Sequence, residues 1–252
     1  MTWRDFWNGE TTIYVSSRHR EIHYRTLAED IVSMLPDGEA RVLDFGCGEA
    51  LSADVVAGAC RSLVLCDAAE TVRAKVRERT RHLANTRTVT PEAVEAMPDG
   101  AFDVIVANSV IQYLAPSELQ RWLETWRRVL APTGQLVLGD IVPRRVGPLK
   151  DAAALIRFAM EHGFLLAAAG GLVRTALSDY RRKRAELGLL QLDEHEIVAL
   201  ARAQGFQAAR SDRNLGHNPA RLTIVARPVP EPARQPQRER MPQAYNVLHS
   251  AV

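Results

Sequence analysis

Short apolar runs alternate with amphipathic segments along most of the chain. The apolar runs are typical of buried strands, and the amphipathic segments are typical of helices that pack against them. We predict strands at 41–45, 62–67, 86–90, 102–108, 135–141, 206–212 and 221–227. We predict helices at 17–35, at 52–59, at 69–83, from residue 117 onward and at 193–205. This alternation predicts an α/β fold with a doubly wound, mostly parallel seven-stranded sheet and helices on both of its faces.

Polar and turn-forming residues indicate where some of the helices begin and end. Ser117, with Gln120 three residues later, forms a capping-box pattern at the start of a helix. Asp193 and Glu196 have the same spacing. A Pro-Thr-Gly turn at 132–134 is expected to end the helix that Ser117 opens, before the next strand begins.

Departures from the alternation divide the chain into segments. Residues 1–36 are predicted as an N-terminal cap segment and helix, and residues 37–227 as the main domain. Residues 143–190 interrupt the alternation and are predicted to form a helical insertion in that domain. Five prolines fall between residues 228 and 242 among few apolar side chains, so the tail at 228–252 is predicted to be disordered.

The composition is that of an ordinary globular protein. Of 252 residues, 46% are hydrophobic and 25% are charged, and the net charge of +2 argues against a dedicated nucleic-acid surface. Three cysteines, an odd number, fit a reducing cytoplasm with no disulfide framework and no zinc site. The longest notable apolar run is the 11 residues at 163–173, whereas a bilayer span needs about 20. No signal peptide is recognised, so a cytoplasmic protein without a membrane span is predicted.

The strongest chemical signal is the turn that follows the first predicted strand. It contains Asp44, Gly46 and Gly48, and glycines in such a turn let backbone N–H groups approach a ligand. Asp67 ends the next strand, 19 residues after Gly48, where an acid can accept both ribose hydroxyls of an adenosine. Leu51 occupies the third glycine position of a dinucleotide motif, which weakens the case for a pyrophosphate site. Asp44 is well placed for a cationic amino-acid group instead.

This pattern resembles the class I S-adenosylmethionine-dependent methyltransferases. The resemblance covers residues 37–142 well and residues 193–227 more loosely. It implies the Rossmann-like fold of that family, with S-adenosylmethionine as cofactor and S-adenosylhomocysteine as its product. The residues that carry it are Asp44-x-Gly46-x-Gly48, Asp67, Asp103 in the fourth strand, Asn108-Ser109 at the exit of that strand, and Gln204-Gly205-Phe206 before the sixth.

Position by position, the resemblance implies a cofactor site at the carboxyl ends of the strands. The turn of Gly46, Cys47 and Gly48 would pass under the methionine part of the cofactor, and Asp44 would hold its amino group. Asp67 would take the ribose hydroxyls. The remaining implied contacts are Ala68 beside the adenine, Val94 or Glu95 near the adenine amine, Asn108 and Ser109 at the methionine end, and Tyr14 or His19 in a leading segment that folds over the cofactor.

Several of these residues also have a purely structural interpretation. The glycines could form only a tight turn, and Asp67 could cap the following helix, a role that is compatible with ribose binding. Asp103 is interpreted as a structural residue at the start of a strand. Cys47 and Cys66 are interpreted as small packing residues rather than nucleophiles.

Histidines mark the acceptor side. The loop at 214–219 follows the sixth strand and is expected at the same rim as the cofactor. His217 in this loop is the candidate general base, because imidazole titrates near neutral pH; a turn histidine bonded to its own loop is the alternative. His19 and His23 share a helix face at a spacing that can hold a metal, but no third ligand is apparent and no metal is predicted. The aromatic residues that precede them could form a lid, fill the core or form a dimer patch: Trp3, Phe6, Trp7 and Tyr14.

The predicted insertion is basic. Between residues 144 and 185, nine Lys and Arg accompany three Asp and Glu, a charge of +6 within a chain of +2. Its centre is rich in Phe, Leu and Val. This combination suits a lid over a hydrophobic or anionic substrate, or a surface that touches anionic lipid. A helical cap with a solvated basic face is the alternative.

These observations lead to a functional hypothesis. The chain is predicted to be a cytoplasmic S-adenosylmethionine-dependent methyltransferase that acts on a small-molecule acceptor, for which the insertion suggests a hydrophobic metabolite. An NAD-dependent oxidoreductase and a non-catalytic cofactor-binding partner protein are the competing hypotheses. No nucleic-acid partner is expected, and peripheral membrane contact, the methylated atom and the oligomeric state are left open.

Overall fold

One mixed sheet forms the centre of the protein. We analysed a computed structural model, and the structure describes residues 14–177 and 189–230. In those residues the sheet has seven strands in the order β3-β2-β1-β4-β5-β7-β6, all paired in parallel except that β7 is antiparallel to both of its neighbours. The predicted fold class is therefore confirmed. The strands are β1 (Arg41–Phe45), β2 (Ser62–Cys66), β3 (Thr86–Val89), β4 (Phe102–Asn108), β5 (Leu130–Ile141), β6 (Phe206–Arg210) and β7 (Leu222–Pro228).

Helices cover both faces of this sheet. They are α1 (Ser17–Ser33), α2 (Ala53–Ala57), α3 (Glu70–Thr80), α4 (Pro91–Glu95), α5 (Pro116–Val129), α6 (Pro148–His162), α7 (Leu165–Leu177) and α8 (Glu194–Ala203), with a 3₁₀ turn at Ile111–Tyr113. On one face, Trp122 and Trp126 of α5 and Ile197 of α8 belong to the larger buried core. On the other face, Ile31 of α1 and Val76 of α3 belong to a second core. Burial on both faces explains why the central strands are continuous apolar runs.

Helices α6 and α7 occupy the described part of the predicted insertion. A third, smaller core contains Phe158 of α6, Ala168 of α7 and Phe164 in the link between them. Val15, just before α1, and Ile22 of α1 pack against it. The insertion is thereby docked on the N-terminal helix, above the carboxyl edge of the sheet.

Some predicted features fall outside the described residues. These are Trp3, Phe6 and Trp7, the basic run at 181–184, and the tail beyond residue 230. Within the described ranges, every helix is too short or too polar to span a bilayer.

Two local predictions are wrong. Helix α5 begins at Pro116, one residue before Ser117, and Glu118 rather than Gln120 accepts a hydrogen bond from the N–H that precedes the helix, that of Ala115, at 2.8 Å. Proline is favoured at the first position of a helix because it has no backbone N–H that would be left unpaired there. The turn at 132–134 does not separate helix from strand, since β5 already begins at Leu130, opposite Phe102 of β4.

The amino ends of the two central strands are joined by an ion pair. Arg41 donates to the Asp103 carboxylate from its backbone N–H at 2.8 Å, from Nε at 2.9 Å and from Nη2 at 2.8 Å. These hydrogen bonds hold the pKa of Asp103 below its ordinary value. The pair lies at the opposite end of the strands from their carboxyl edge, which agrees with the structural role predicted for Asp103.

Replacing Asp103 with Asn should lower the free energy of unfolding at pH 7 by about 1 kcal/mol, because a partly exposed, charge-assisted pair is lost. The pKa of Asp103 is depressed in the folded state. Its contribution is therefore present above the ordinary pKa of an aspartate and is lost as the pH falls through the depressed value. Urea unfolding at pH 7 and at acidic pH measures both effects.

Asp99→Asn is the matched control. Asp99 pairs with Arg128 at 3.0 Å, but its side chain is 81% exposed, so its replacement should change the free energy of unfolding by no more than about 0.5 kcal/mol. Equal losses in the two variants would contradict the structural role of the Arg41–Asp103 pair.

Candidate functional site

The carboxyl ends of the parallel strands form one edge of the sheet. From β1 the chain winds outward through β2 and β3, and from β4 it winds the opposite way through β5. The loops after β1 and β4 therefore diverge and leave a crevice between them. Ligands of open α/β sheets bind at this topological position.

The turn after β1 is shaped by two glycines in the left-handed region, with φ of +77° at Gly46 and +55° at Gly48. The N–H of Gly46 donates to the carbonyl of Cys66, at the end of β2, at 2.7 Å. A Cβ on Gly46 would lie 2.1 Å from Cγ2 of Val110, and a Cβ on Gly48 would lie 2.7 Å from the Tyr24 hydroxyl. Both backbone conformation and close packing therefore require glycine at these positions.

The Asp67 carboxylate is tied to the glycine turn. Its Oδ2 accepts the N–H of Gly48 at 3.1 Å, and its Oδ1 accepts the N–H of Ala69 at 2.8 Å. Burial raises the pKa of Asp67, and these N–H donors oppose the rise. Each carboxylate oxygen can accept a further hydrogen bond, so helix-start bonding does not exclude a ligand. Ala68, the next residue, is exposed.

Asp44 is the second acid at this edge. Burial, and then the charge of Asp67, raises the pKa of Asp44 to about 7. A nearby cation would restore its carboxylate form. Cys47 and Cys66 are free and buried, and burial raises the pKa of both thiols, which suits packing residues rather than nucleophiles.

Three side chains link the exits of β4 and β5. The amide of Asn108 donates from Nδ2 to Oγ of Ser109 at 3.3 Å, and that hydroxyl donates to Oδ2 of Asp140 at 2.7 Å. The Oδ1 atom of Asn108 is buried and has no hydrogen-bond partner in the described residues. A Cβ on Gly139 would lie 2.4 Å from that oxygen, so glycine at position 139 leaves room for the Asn108 side chain.

Sequence reasoning misses Asp140. Its φ of +55° puts it in the left-handed region, and burial raises its pKa. In the described residues, the other non-glycine positions with positive φ are Ala50 and Ser109, and they also lie in loops at this edge. Such strained positions cluster at functional sites. The available signal was an acid next to Gly139, near the carboxyl end of a predicted strand.

Val94 and Glu95, the residues predicted for the adenine side, both lie on α4. Val94 is fully buried, and its N–H donates to the carbonyl of Thr90 at 3.2 Å. The Glu95 carboxylate lies 3.8 Å from Nη1 of Arg121 on α5. Glu92, which sequence reasoning also misses, is an exposed acid of α4 whose charge contributes to the raised pKa of the Cys66 thiol.

Helix α1 covers the glycine turn. The Tyr24 hydroxyl accepts the N–H of Glu49 at 2.8 Å, and the Glu49 carboxylate lies 3.5 Å from Nη1 of Arg20. The ring of Tyr14 lies 5.8 Å from that of Tyr24. Burial raises the pKa of Tyr24 to about 12 and also raises that of Tyr14. Tyr24 is therefore a contact with the turn that sequence reasoning misses, and Tyr14 packs beside Tyr24.

Three histidine rings pack together beside Tyr14 and Tyr24. The ring centroid of His217 lies 5.9 Å from those of both His19 and His23. His217 stacks on Phe158 with ring centroids 4.3 Å apart, and His19 stacks on Phe164 at 5.1 Å. The loop after β6 thus brings His217 to the predicted rim, against the inner faces of α1 and α6.

All three imidazoles are neutral near pH 7. Desolvation lowers the pKa of His19 to about 4. Desolvation and then the charges of His217 and His19 lower the pKa of His23 to about 3. Desolvation and then the charge of His19 lower the pKa of His217 to about 4. Although the structure supplies a third histidine to the His19–His23 pair, the described ranges contain no group of three His, Cys, Asp or Glu side chains that could hold one metal ion.

The segment between β6 and β7 joins the histidines to Asp140. Oδ1 of Asn214 accepts the N–H of Asp140 at 3.1 Å. Arg221 donates two hydrogen bonds to Asp151 of α6, at 3.2 and 2.7 Å. A cleft of about 260 Å³ opens between this segment and α1, and His217 is among its lining residues. These contacts anchor the segment to both the sheet and the insertion.

Comparison with known proteins finds similarity to methyltransferases. A family model described as a methyltransferase domain matches residues 43–138, which include the glycine turn, Asp67 and Asn108. Two curated relatives, from two strains of Mycobacterium tuberculosis, are each named a probable S-adenosylmethionine-dependent methyltransferase and are 31% identical over 146 residues. The alignment covers 55% of this chain and 48% of each relative, so the chain spans about half the length of the curated relatives it matches.

Solved structures share the fold over more of the chain. The YcgJ protein of Bacillus subtilis has a TM-score of 0.53 and 18% identity, with 75% of this chain and 70% of that chain covered. The 1,6-didemethyltoxoflavin-N1-methyltransferase of Burkholderia thailandensis was solved with 1,6-didemethyltoxoflavin and S-adenosylhomocysteine. It has a TM-score of 0.56 and 17% identity, with 83% of this chain and 80% of that chain covered.

At these identities the solved structures establish the fold alone, while the family model and the mycobacterial relatives identify the domain. The match runs from β1 into β5 and so contains both sides of the crevice. On this basis residues 43–138 are identified as a methyltransferase domain, and the chain is similar over 146 residues to probable S-adenosylmethionine-dependent methyltransferases.

Proposed function

We propose that this protein transfers the methyl group of S-adenosylmethionine to a small-molecule acceptor. The observation that carries the proposal is the hydrogen bond from the Gly48 N–H to the Asp67 carboxylate. It holds a half-buried acid beside a glycine turn at the crevice of the sheet. An acid and close backbone at that point suit the ribose and the amino-acid end of the cofactor.

The residues at the crevice fit this cofactor chemically. Asp67 offers carboxylate oxygens to the ribose hydroxyls, beside Ala68. Asp44 offers a carboxyl group whose pKa is raised to about 7 and which an ammonium group would stabilise as carboxylate. The unpartnered Oδ1 of Asn108 is an acceptor for a donor at the methionine end. The rest of the proposed cofactor path is formed by Gly46, Cys47, Gly48 and Ser109. Tyr14 and His19 lie above it in this proposal, and Val94 or Glu95 lies near the adenine amine, with Glu92 as a further acid of the same helix.

When bound, S-adenosylmethionine supplies a methyl group activated by the adjacent sulfonium. The contribution of the chain is to position the acceptor in line with that methyl group and to keep water away from both. Tyr24 of helix α1 covers the turn, with Tyr14, from the segment before that helix, packed beside it, and α6 closes the side next to His217.

The acceptor in this proposal is a small hydrophobic metabolite. Phe158 and Phe164 are buried beside the histidines and give one side of the space an aromatic wall. Asp140 and Asn214, which are hydrogen-bonded to each other, supply a few fixed polar groups at the exit of β5. A mostly apolar wall with few polar groups is typical of small-molecule sites. The Burkholderia methyltransferase, solved with 1,6-didemethyltoxoflavin, supports a small-molecule acceptor.

His217 is proposed as the general base. A pKa of about 4 leaves its imidazole neutral at pH 7 and able to accept a proton. The same low pKa makes it a weak base, so it suits an acceptor whose proton is already acidic. The free, buried cysteines also favour a reducing compartment, and we assign the protein to the cytoplasm on that ground.

Calorimetry with S-adenosylmethionine, S-adenosylhomocysteine and NADH tests the proposal on the full chain. We expect saturable binding of the first two and none of NADH. Folded protein that binds neither form of the cofactor would overturn the proposal, and binding of NADH alone would favour an oxidoreductase. Binding of the cofactor without turnover on any acceptor would favour a non-catalytic partner protein.

Asp67→Asn should weaken the binding of S-adenosylhomocysteine by about 1–3 kcal/mol, because charge-assisted hydrogen bonds to the ribose are lost while the shape of the side chain is kept. Asp54→Asn is the matched control, since Asp54 is exposed on α2, close to the same turn in sequence. Calorimetric dissociation constants measure both changes. Unchanged affinity in the Asp67 variant would remove Asp67 from the site.

His217→Gln should reduce the acid sensitivity of the fold. The folded-state pKa of about 4 lies below the ordinary histidine value of 6.5. The unfolded chain therefore binds this proton first, and stability falls as the pH drops from 6.5 towards 4. The slope of the unfolding free energy against pH is proportional to the number of protons taken up on unfolding. Removing His217 should lower that number by about one over this pH range. Urea unfolding at several pH values measures the slope.

His82→Gln is the control for this slope. His82 is exposed, so its replacement should leave the slope unchanged. An unaltered slope in the His217 variant would show that His217 is not held neutral by burial.

A further inference from the structure

The outward side of the insertion helices is apolar and exposed. Large apolar side chains are exposed at seven positions in the described residues, and five of these lie in α6 and α7. Single exposed apolar residues are ordinary, but a concentration of them marks an interaction surface. The five are Leu149 at 86% exposed, Met160 at 64%, Leu165 at 42%, Leu166 at 90% and Val173 at 59%.

Helical spacing places these residues on two continuous stripes. Leu149 and Met160 are eleven positions apart, about three turns, so they lie on the same side of α6. Leu166 and Val173 are seven positions apart, about two turns, and share one side of α7. The exposed residues between them on that side, Ala169 and Gly170, carry no charge.

The inner sides of the same helices pack against the rest of the protein. Phe158 and Phe164 are buried in the third core, against α1 and the histidines. The two helices are thus apolar on the side that packs and again on the side that faces outward. A helix that is apolar all round is normally covered on both sides.

We propose that this outer face, defined by Leu149, Met160, Leu166 and Val173, binds the surface of an anionic lipid bilayer. The proposal goes beyond the proposed function and does not depend on it. Apolar side chains that enter the boundary between headgroups and acyl chains, flanked by cations, are typical of helices that lie on membranes.

The charges of the two helices favour an anionic surface. Lys150, Arg157 and Arg174 are exposed on them. Of the acids, Asp151 is hydrogen-bonded to Arg221 and so faces the domain, which leaves Glu161 exposed. Cations next to apolar side chains attract acidic headgroups.

The same charges disfavour a second copy of the chain as the occupant. In a two-fold dimer each patch meets its own copy, so the cations of one protomer would approach those of its partner. The inner side of α6 also carries Phe158, which stacks on His217. A membrane-bound outer face would therefore lie one helix away from the histidines, which suits an acceptor that reaches the site from a bilayer.

Vesicle flotation of the full chain tests this inference. The probes are vesicles of phosphatidylcholine alone and of phosphatidylcholine with about one quarter phosphatidylglycerol, at low and high salt. Wild type should float with the anionic vesicles at low salt, and Leu166→Gln/Val173→Gln should reduce the bound fraction about tenfold or more. Val55→Gln/Val229→Gln, at exposed apolar positions outside these helices, is the matched control and should float like wild type.

Three outcomes would overturn the inference. They are wild type that stays unbound, equal binding to neutral and anionic vesicles, and a Leu166→Gln/Val173→Gln variant that floats like wild type. A concentration-dependent dimer in light scattering that the same variant abolishes would assign the face to a second copy instead. Binding of S-adenosylhomocysteine, measured on each preparation, checks the fold, and its loss in wild type would count against the proposed function without touching this inference.

Discussion

The hydrogen bond between the Gly48 N–H and the Asp67 carboxylate is the contact on which the rest of the site depends. It joins the turn after β1 to the end of β2, and the bond from Gly46 to the carbonyl of Cys66 makes the same junction earlier in the turn. Only a left-handed backbone directs the turn this way, and Tyr24 packs where a side chain at Gly48 would lie. The geometry of the site therefore requires three features together. They are the glycines, the acid and the parallel pairing of β1 with β2.

Burial, more than net charge, sets the chemistry at this edge. Desolvation is the largest cause of the raised pKa values of Asp44 and Asp140 and of the lowered pKa of His217. The fold thus favours the uncharged forms of these acids and of the histidine more than water does. A ligand with a positive centre would recover part of that electrostatic cost, which links the local folding of the crevice to what it can bind.

Much of the fold could be predicted from the sequence because its signals are local. The apolar runs located the strands, and Asp44, Gly46 and Asp67 located the crevice, since strand ends and glycine turns are read from neighbouring residues. The start of α5 was misjudged because proline competes with serine for the first turn. Asp140 and Tyr24 were missed because they enter the site through tertiary packing, which spacing along the chain does not encode.

The position of β7 has a consequence for how the chain reaches this structure. The last strand of the sheet along the chain, β7, inserts between β5 and β6. Until residues 222–228 have been synthesised, β5 is paired only with β4 and β6 has no partner strand. A nascent chain emerging from the ribosome would expose the unpaired edge of β5 throughout synthesis of α6, α7 and α8. Folding of the carboxyl half is thereby delayed to a late step, during which an open strand edge needs protection from other chains.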